Sequence, residues 1–116
     1  RVLFRSNMVR DCGAKKVFFA SASPPVRFQN VYGIDMPATK ELIAHNKSVG
    51  QIKRYIGADE LIYQDLADLK RAAQIGNPDI EEFEDSVFSG KYCTGDVTQS
   101  FLKKLEASRD DSRRLQ

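Results

Sequence analysis

The chain is poor in the side chains that do chemistry on their own. It has a single histidine, His45, and only two cysteines, Cys12 and Cys93. A lone histidine needs partners before it can serve as a base or a ligand, and no Ser or Cys arrangement surrounds His45. It reads as a partly exposed residue at a helix end. Two cysteines exclude a disulfide scaffold, and neither lies in a Cys-x-x-Cys motif, so both are expected to be small buried thiols. A charge of one sign is missing as well. Eighteen basic against sixteen acidic side chains leave a net charge of +2. That balance argues against nucleic acid or an anionic membrane as the main partner. No apolar run approaches the roughly 20 residues of a membrane span. Residues 1–6 lack the apolar core and small-residue cleavage site of a signal peptide. Internal repeats and low-complexity segments are absent too.

What remains is 116 residues, 41% hydrophobic and 29% charged. This is enough for at most one small α/β domain, expected to be soluble and cytoplasmic. Met8 to Gly13 reads as the last turn of a helix with Gly13 just past its end. Residues 1–6 are uncapped and read as an artefact or a frayed end, so the chain is expected to begin inside a helix. The apolar run Lys16 to Ala22 follows at once. Helix, tight turn and apolar strand make the second half of a βαβ unit, which predicts a parallel, buried strand. Pro24 and Pro25 end it. Residues 26–38 form an irregular connection, with an extended stretch at Val31-Tyr32 and a turn at Gly33.

Helix is expected from Thr39 to about Asn46. Ser48 and Gln51 have the spacing of a capping box, ahead of a helix with Val49, Ile52 and Ile56 on one face and Gly57 as its stop. Residues 60–63 suit a strand. Asp65 suits the cap of a helix with Leu66, Leu69 and Ala73 inward, and Pro78 suits the first position of another. The acidic stretch Asp79 to Asp85 lacks calcium-loop spacing and reads as a solvated helix face. Val97, Phe101, Leu102 and Leu105 mark a last amphipathic helix, with residues 108–116 frayed. The predicted organisation is a domain portion over 7–76 and a helical tail over 77–116.

One stretch invites a ligand. Tyr32-Gly33-Ile34-Asp35-Met36-Pro37 puts a Gly, a carboxylate and a Pro where a sheet hands over to a helix, the crevice that ligands occupy in parallel α/β folds. Asp35 can reach a ligand's hydroxyls or a metal-bound water, and Met36 can line an apolar wall. The plainer reading, favoured by the residues alone, makes Asp35 a helix N-cap two positions before Pro37.

Cys12-Gly13-Ala14-Lys15-Lys16-Val17, the Tyr32 to Pro37 stretch and Glu41-Leu42-Ile43-Ala44 together resemble the C-terminal part of the amidophosphoribosyltransferase family. Ile56-Gly57-Ala58-Asp59 and Phe88-Ser89-Gly90-Lys91-Tyr92 continue the likeness in order, from about Met8 to about Leu105. The resemblance implies part of a type I phosphoribosyltransferase-like parallel sheet followed by a helical C-terminal tail. It implies the first committed step of purine nucleotide synthesis. A glutaminase domain releases ammonia from glutamine, and ammonia displaces pyrophosphate from magnesium-bound phosphoribosyl pyrophosphate (PRPP) to give phosphoribosylamine. The family's PRPP loop, with paired acids and a Gly-Thr-Thr turn, precedes the helix that ends at Gly13. Neither that loop nor the glutaminase domain nor the magnesium ligands are in this chain, so the fragment alone is expected to be inactive.

By the same resemblance Asp35, Met36 and Pro37 are the candidates for contacts to PRPP and to feedback purine nucleotides, and a homo-oligomer is expected. One branch of the family holds an iron–sulfur cluster on cysteines. Three of those ligands would fall near Asn30, Glu84 and Val87, none of them Cys, so the chain is expected to match the cluster-free branch. The competing readings are a free-standing α/β nucleotide-binding or interaction module without catalysis, and a structural cap of another α/β enzyme. A sheet lacking its first strands would leave an apolar edge prone to aggregation.

Overall fold

The computed structural model describes residues 2–114, and side chains over 5–109. Among the described residues five α-helices and two strands follow one another. They are α1 (Val2–Asp11), β1 (Phe18–Ser21), α2 (Val49–Ile56), β2 (Glu60–Tyr63), α3 (Leu66–Gln74), α4 (Ser86–Ser89) and α5 (Gln99–Arg114), with a 3-10 turn at Thr39–Glu41 before α2. β1 and β2 pair in parallel, with Phe18 opposite Glu60 and Ser21 opposite Tyr63. The α/β class and the helical tail are as expected from the sequence.

Local chemistry explains most boundaries. Beyond α1, the Gly13 amide donates to the Arg10 carbonyl and the Ala14 amide to Val9. Beyond α2, Gly57 donates to Arg54 and Ala58 to Lys53. Both closures need a left-handed residue, and Gly13 and Gly57 have φ of 94° and 69°. Ser48 and Gln51 form the expected capping box, each accepting the other's backbone N–H. The Asp65 carboxylate accepts from Ala67 and Asp68 at the start of α3. α5 opens on Thr98, whose hydroxyl accepts from the Phe101 amide.

The core is small. Ala44, Ile52, Ile56 and Leu61 are buried together, and Phe19, Ala58 and Tyr63 pack against them. α2 covers this face of the β pair. The other face is bare, which corrects the expectation of a buried strand: Phe18 is 61% and Ile62 57% exposed. Among the described residues only α2 makes an extensive contact with the sheet. The Cα radius of gyration is 17.1 Å, against roughly 13 Å for a closed domain of about 100 residues.

Several other expectations give way. The helix foreseen over Thr39 to Asn46 is a single 3-10 turn, because Leu42 turns to extended backbone at ψ 116°. Val49, at the first position of α2, is exposed and not part of the buried face that Ile52 and Ile56 form. Ala73 faces solvent, and no residue of α3 is buried. Pro78 starts no helix; it sits in a turn closed by Ile80 N–H on the Asn77 carbonyl. Residues 79–85 are not helical either, and the helix after them, α4, spans only four residues. Cys12 and Cys93 are exposed, not buried, because both fall in turns. α1 runs unbroken from residue 2 to 11, with Ser6 buried. α5 is helical through residue 114; residues 115–116 lie outside the described residues.

One side chain gathers the start of the fold. Asp59 accepts from the Val17 amide at 2.7 Å and from Arg10 Nη2 at 2.8 Å, while Arg10 also donates to the Gly57 carbonyl. The Val17 amide and then the Arg10 guanidinium hold the Asp59 carboxyl below the usual carboxylate range. A depressed folded-state value means a stability contribution present above the unfolded value of about 3.9 and lost as pH falls through the folded one. The thermal midpoint of the wild type is therefore expected to fall more steeply below pH about 4 than that of Asp59→Asn. Parallel acid limbs in the two midpoint–pH curves would refute the clamp.

Candidate functional site

The stretch from Gln29 to Pro37 has no helix or strand, so its backbone is held by side chains. Asn30, 1% exposed, is the organiser. Its Oδ1 accepts from the amides of Tyr32 at 2.9 Å and Ile34 at 3.1 Å, folding the chain about Gly33. Asparagine suits this because its short amide reproduces a backbone turn. Behind it, Gln29 is buried and donates to the Thr39 hydroxyl at 2.6 Å. The Tyr92 hydroxyl donates to the Gln29 carbonyl at 2.9 Å. Burial, then the neighbouring Tyr32 and Glu84, pushes the Tyr92 phenol up from its ordinary value, which keeps it a donor. The Tyr32 ring meets Tyr92 edge-on at 6.3 Å, and its hydroxyl accepts from the Thr94 amide.

α5 closes the far side. Arg109 donates through Nη1 to Gln29 Oε1 and through Nη2 to the Asn30 carbonyl, both at 3.3 Å. Between α5 and the loop lies an open hollow of about 320 Å³, walled by Ile34, Phe101 and Leu105 with Asp35 and Arg109 among its polar groups. It joins an apolar surface to one carboxylate and one guanidinium, the mixture that fixes a small polar ligand.

Asp35 is exposed and lines this hollow; Met36 and Pro37 are half-buried beside it and do not line it. The helix-cap reading of Asp35 is overturned. The 3-10 turn begins after Ala38, and Glu41 Oε2 accepts the Ala38 amide at 3.1 Å. No strand hands over to the loop, since β1 ends at Ser21, and where an extended stretch was expected at Val31-Tyr32 the chain bends at Tyr32-Gly33. Sequence reasoning did not single out Gln29 or Arg109. Asn30 ahead of Tyr32-Gly33 was a legible turn signal, whereas Arg109 lies 80 residues from Gln29 and nothing local marks it.

His45 is half-buried with Nδ1 2.9 Å from the Arg27 carbonyl, a structural contact. The acidic stretch ends in an ion pair of Lys70 with Asp85. That ammonium, then the Ser89 hydroxyl, lowers the Asp85 carboxyl. Among the described residues no three His, Cys, Asp or Glu side chains gather as a metal-binding group, and no helix is long and apolar enough to cross a membrane.

The architecture is that of a partial α/β unit: a parallel strand pair covered on one face, a side-chain-anchored loop and a helical tail against it. No protein-family model matches the chain. Its sequence is 57% identical over 104 residues to the amidophosphoribosyltransferase of Escherichia coli, covering 90% of this chain and 21% of that protein. The amidophosphoribosyltransferases of Pseudomonas aeruginosa and Saccharomyces cerevisiae are 51% and 42% identical over 105 and 104 residues. The chain thus spans about a fifth of the length of the relatives it matches, and it is homologous to one stretch of the amidophosphoribosyltransferases.

Removing the Asn30 amide in Asn30→Ala strands two backbone donors, at an expected cost of about 1–3 kcal/mol in urea unfolding. A loss below about 0.5 kcal/mol, the size of an ordinary surface change, would mean that Asn30 does not hold the loop.

Proposed function

We propose that this chain is the closing part of the transferase domain of an amidophosphoribosyltransferase, together with its helical tail. The observation that carries the reading is the 57% identity over 104 residues. In this reading the whole protein takes PRPP and glutamine to phosphoribosylamine, glutamate and pyrophosphate. Ammonia forms a bond to the ribose anomeric carbon as the bond to pyrophosphate breaks. Such a step has oxocarbenium character and is catalysed mostly by positioning and electrostatics. Glutamine hydrolysis, the PRPP loop and the magnesium ligands belong to the rest of the protein. The whole protein acts as a cytoplasmic homo-oligomer.

This stretch supplies a ligand wall. Asp35 stands in an open hollow with an acceptor carboxylate suited to the hydroxyls of a ribose. Met36 and Pro37 extend the same backbone, and all three are assigned as nucleotide or PRPP contacts. A cluster-free protein is supported by what occupies the three positions. The Asn30 side chain folds the loop, Glu84 accepts from the Ser86 amide, and the Val87 carbonyl accepts from Arg27 and Phe28. None offers a thiolate.

The test uses the full-length protein that contains this stretch, assayed for ammonia-dependent release of pyrophosphate from PRPP. Activity is expected in the wild type. In Asp35→Ala the KM for PRPP or the inhibition constant for a purine mononucleotide is expected to rise about tenfold, the value of a hydrogen bond to a charged group. No pyrophosphate release from the wild type would end the enzyme reading. An upstream reading frame without paired acids and a Gly-Thr-Thr turn would favour a free-standing binding module.

A further inference from the structure

Among the described residues Arg109, like Arg10 and Arg27, bridges distant parts of the chain. It sits on α5 yet donates to two consecutive residues of the loop, the Gln29 side chain and the Asn30 carbonyl. Those two residues are 4% and 1% exposed and are the base of the whole Gln29–Pro37 segment. Asn30 presents opposite ends to its partners. Its side-chain oxygen holds the Tyr32 and Ile34 amides, and its backbone carbonyl takes the Arg109 fork. Gln29 likewise links Arg109 on one side to Thr39 on the other, so the fork also reaches the turn that follows Pro37. Arg109 lines the same hollow as Asp35. A planar guanidinium can hold two acceptors at fixed spacing, which a lysine ammonium cannot.

We propose that Arg109 is a positioning residue that fastens the tail helix α5 to the Gln29–Asn30 base, so that the order of the Asp35 loop, and ligand affinity there, depends on α5 being docked. The tail is then a working part of the hollow and not an appendage. The loop-ordering half stands on this geometry alone; the affinity half rests on the nucleotide or PRPP reading of Asp35.

Two readouts on the full-length protein separate them. The first is amide hydrogen exchange over residues 30–35, which requires no activity. Arg109→Ala is expected to speed exchange at Tyr32 and Ile34 about tenfold, as loss of a charged hydrogen bond allows. Amides of α2 serve as the fold control and keep their wild-type rates. Arg109→Lys, which retains charge without the fork, is expected to restore protection only in part. The second readout is steady-state kinetics with ammonia and PRPP, where Arg109→Ala raises KM with kcat near the wild-type value.

Wild-type exchange at Tyr32 and Ile34 in Arg109→Ala would overturn the proposal, as would full recovery in Arg109→Lys, which would reduce the fork to a charge effect. Should Arg109→Ala fail to fold, Arg109→Lys alone still decides it, because unchanged protection there refutes the fork. Faster exchange in a protein that releases no pyrophosphate would keep the loop-ordering inference and discard the enzyme reading. Faster exchange with unchanged KM in an active enzyme would overturn the affinity half.

Discussion

Asp59 ties the end of α1 to the strand pair and to the close of α2. Its carboxylate takes the Val17 amide, and its own amide donates to the Val17 carbonyl at 2.8 Å. This reciprocal pair sits one step ahead of the Phe18–Glu60 pair and so sets the register of the parallel strands. The same carboxylate holds Arg10, whose guanidinium also closes on Gly57 at the end of α2. One side chain thereby joins the end of α1, the entrance to β1, the turn after α2 and the start of β2. Parallel strands need a long crossover between them, and nothing local fixes their register. A charged clamp at the entrance supplies what the crossover lacks.

The second organising unit is polar and buried. Gln29, Asn30 and Thr39 are buried polar residues in a chain whose apolar core has few members, and each of the three has a partner. Buried polar groups are costly unless satisfied, and a satisfied network permits few alternative arrangements. This network is why a segment without regular structure holds a defined shape. It also joins the loop to three distant pieces of chain: Thr39, the Tyr92–Thr94 turn and α5.

The bare face of the strand pair fits with the relatives' length. Phe18 and Ile62 project from the face opposite α2, and the matched relatives are about five times as long as the stretch they share with this chain. An apolar sheet face is ordinarily covered on both sides when strands are parallel. Here the exposed pair, together with a radius of gyration larger than a closed domain would have, describes a unit whose cover is not within the described residues.

What the sequence determined by itself is local. The Ser48–Gln51 box, the Asp65 cap and the Gly13 and Gly57 closures each depend on residues close to one another in sequence, and all are present. A short-range hydrogen bond or a φ requirement is complete once those few residues are given. What only the tertiary structure decided is burial and long-range pairing. The lone Asp35 looked like a cap until Glu41 took the Ala38 amide. The cysteines looked buried until their turns faced solvent. Arg109 carried no signal until α5 lay against Gln29 and Asn30. Exposure and partnership are properties of what else arrives at a position, and that is settled only when elements far apart in the chain meet.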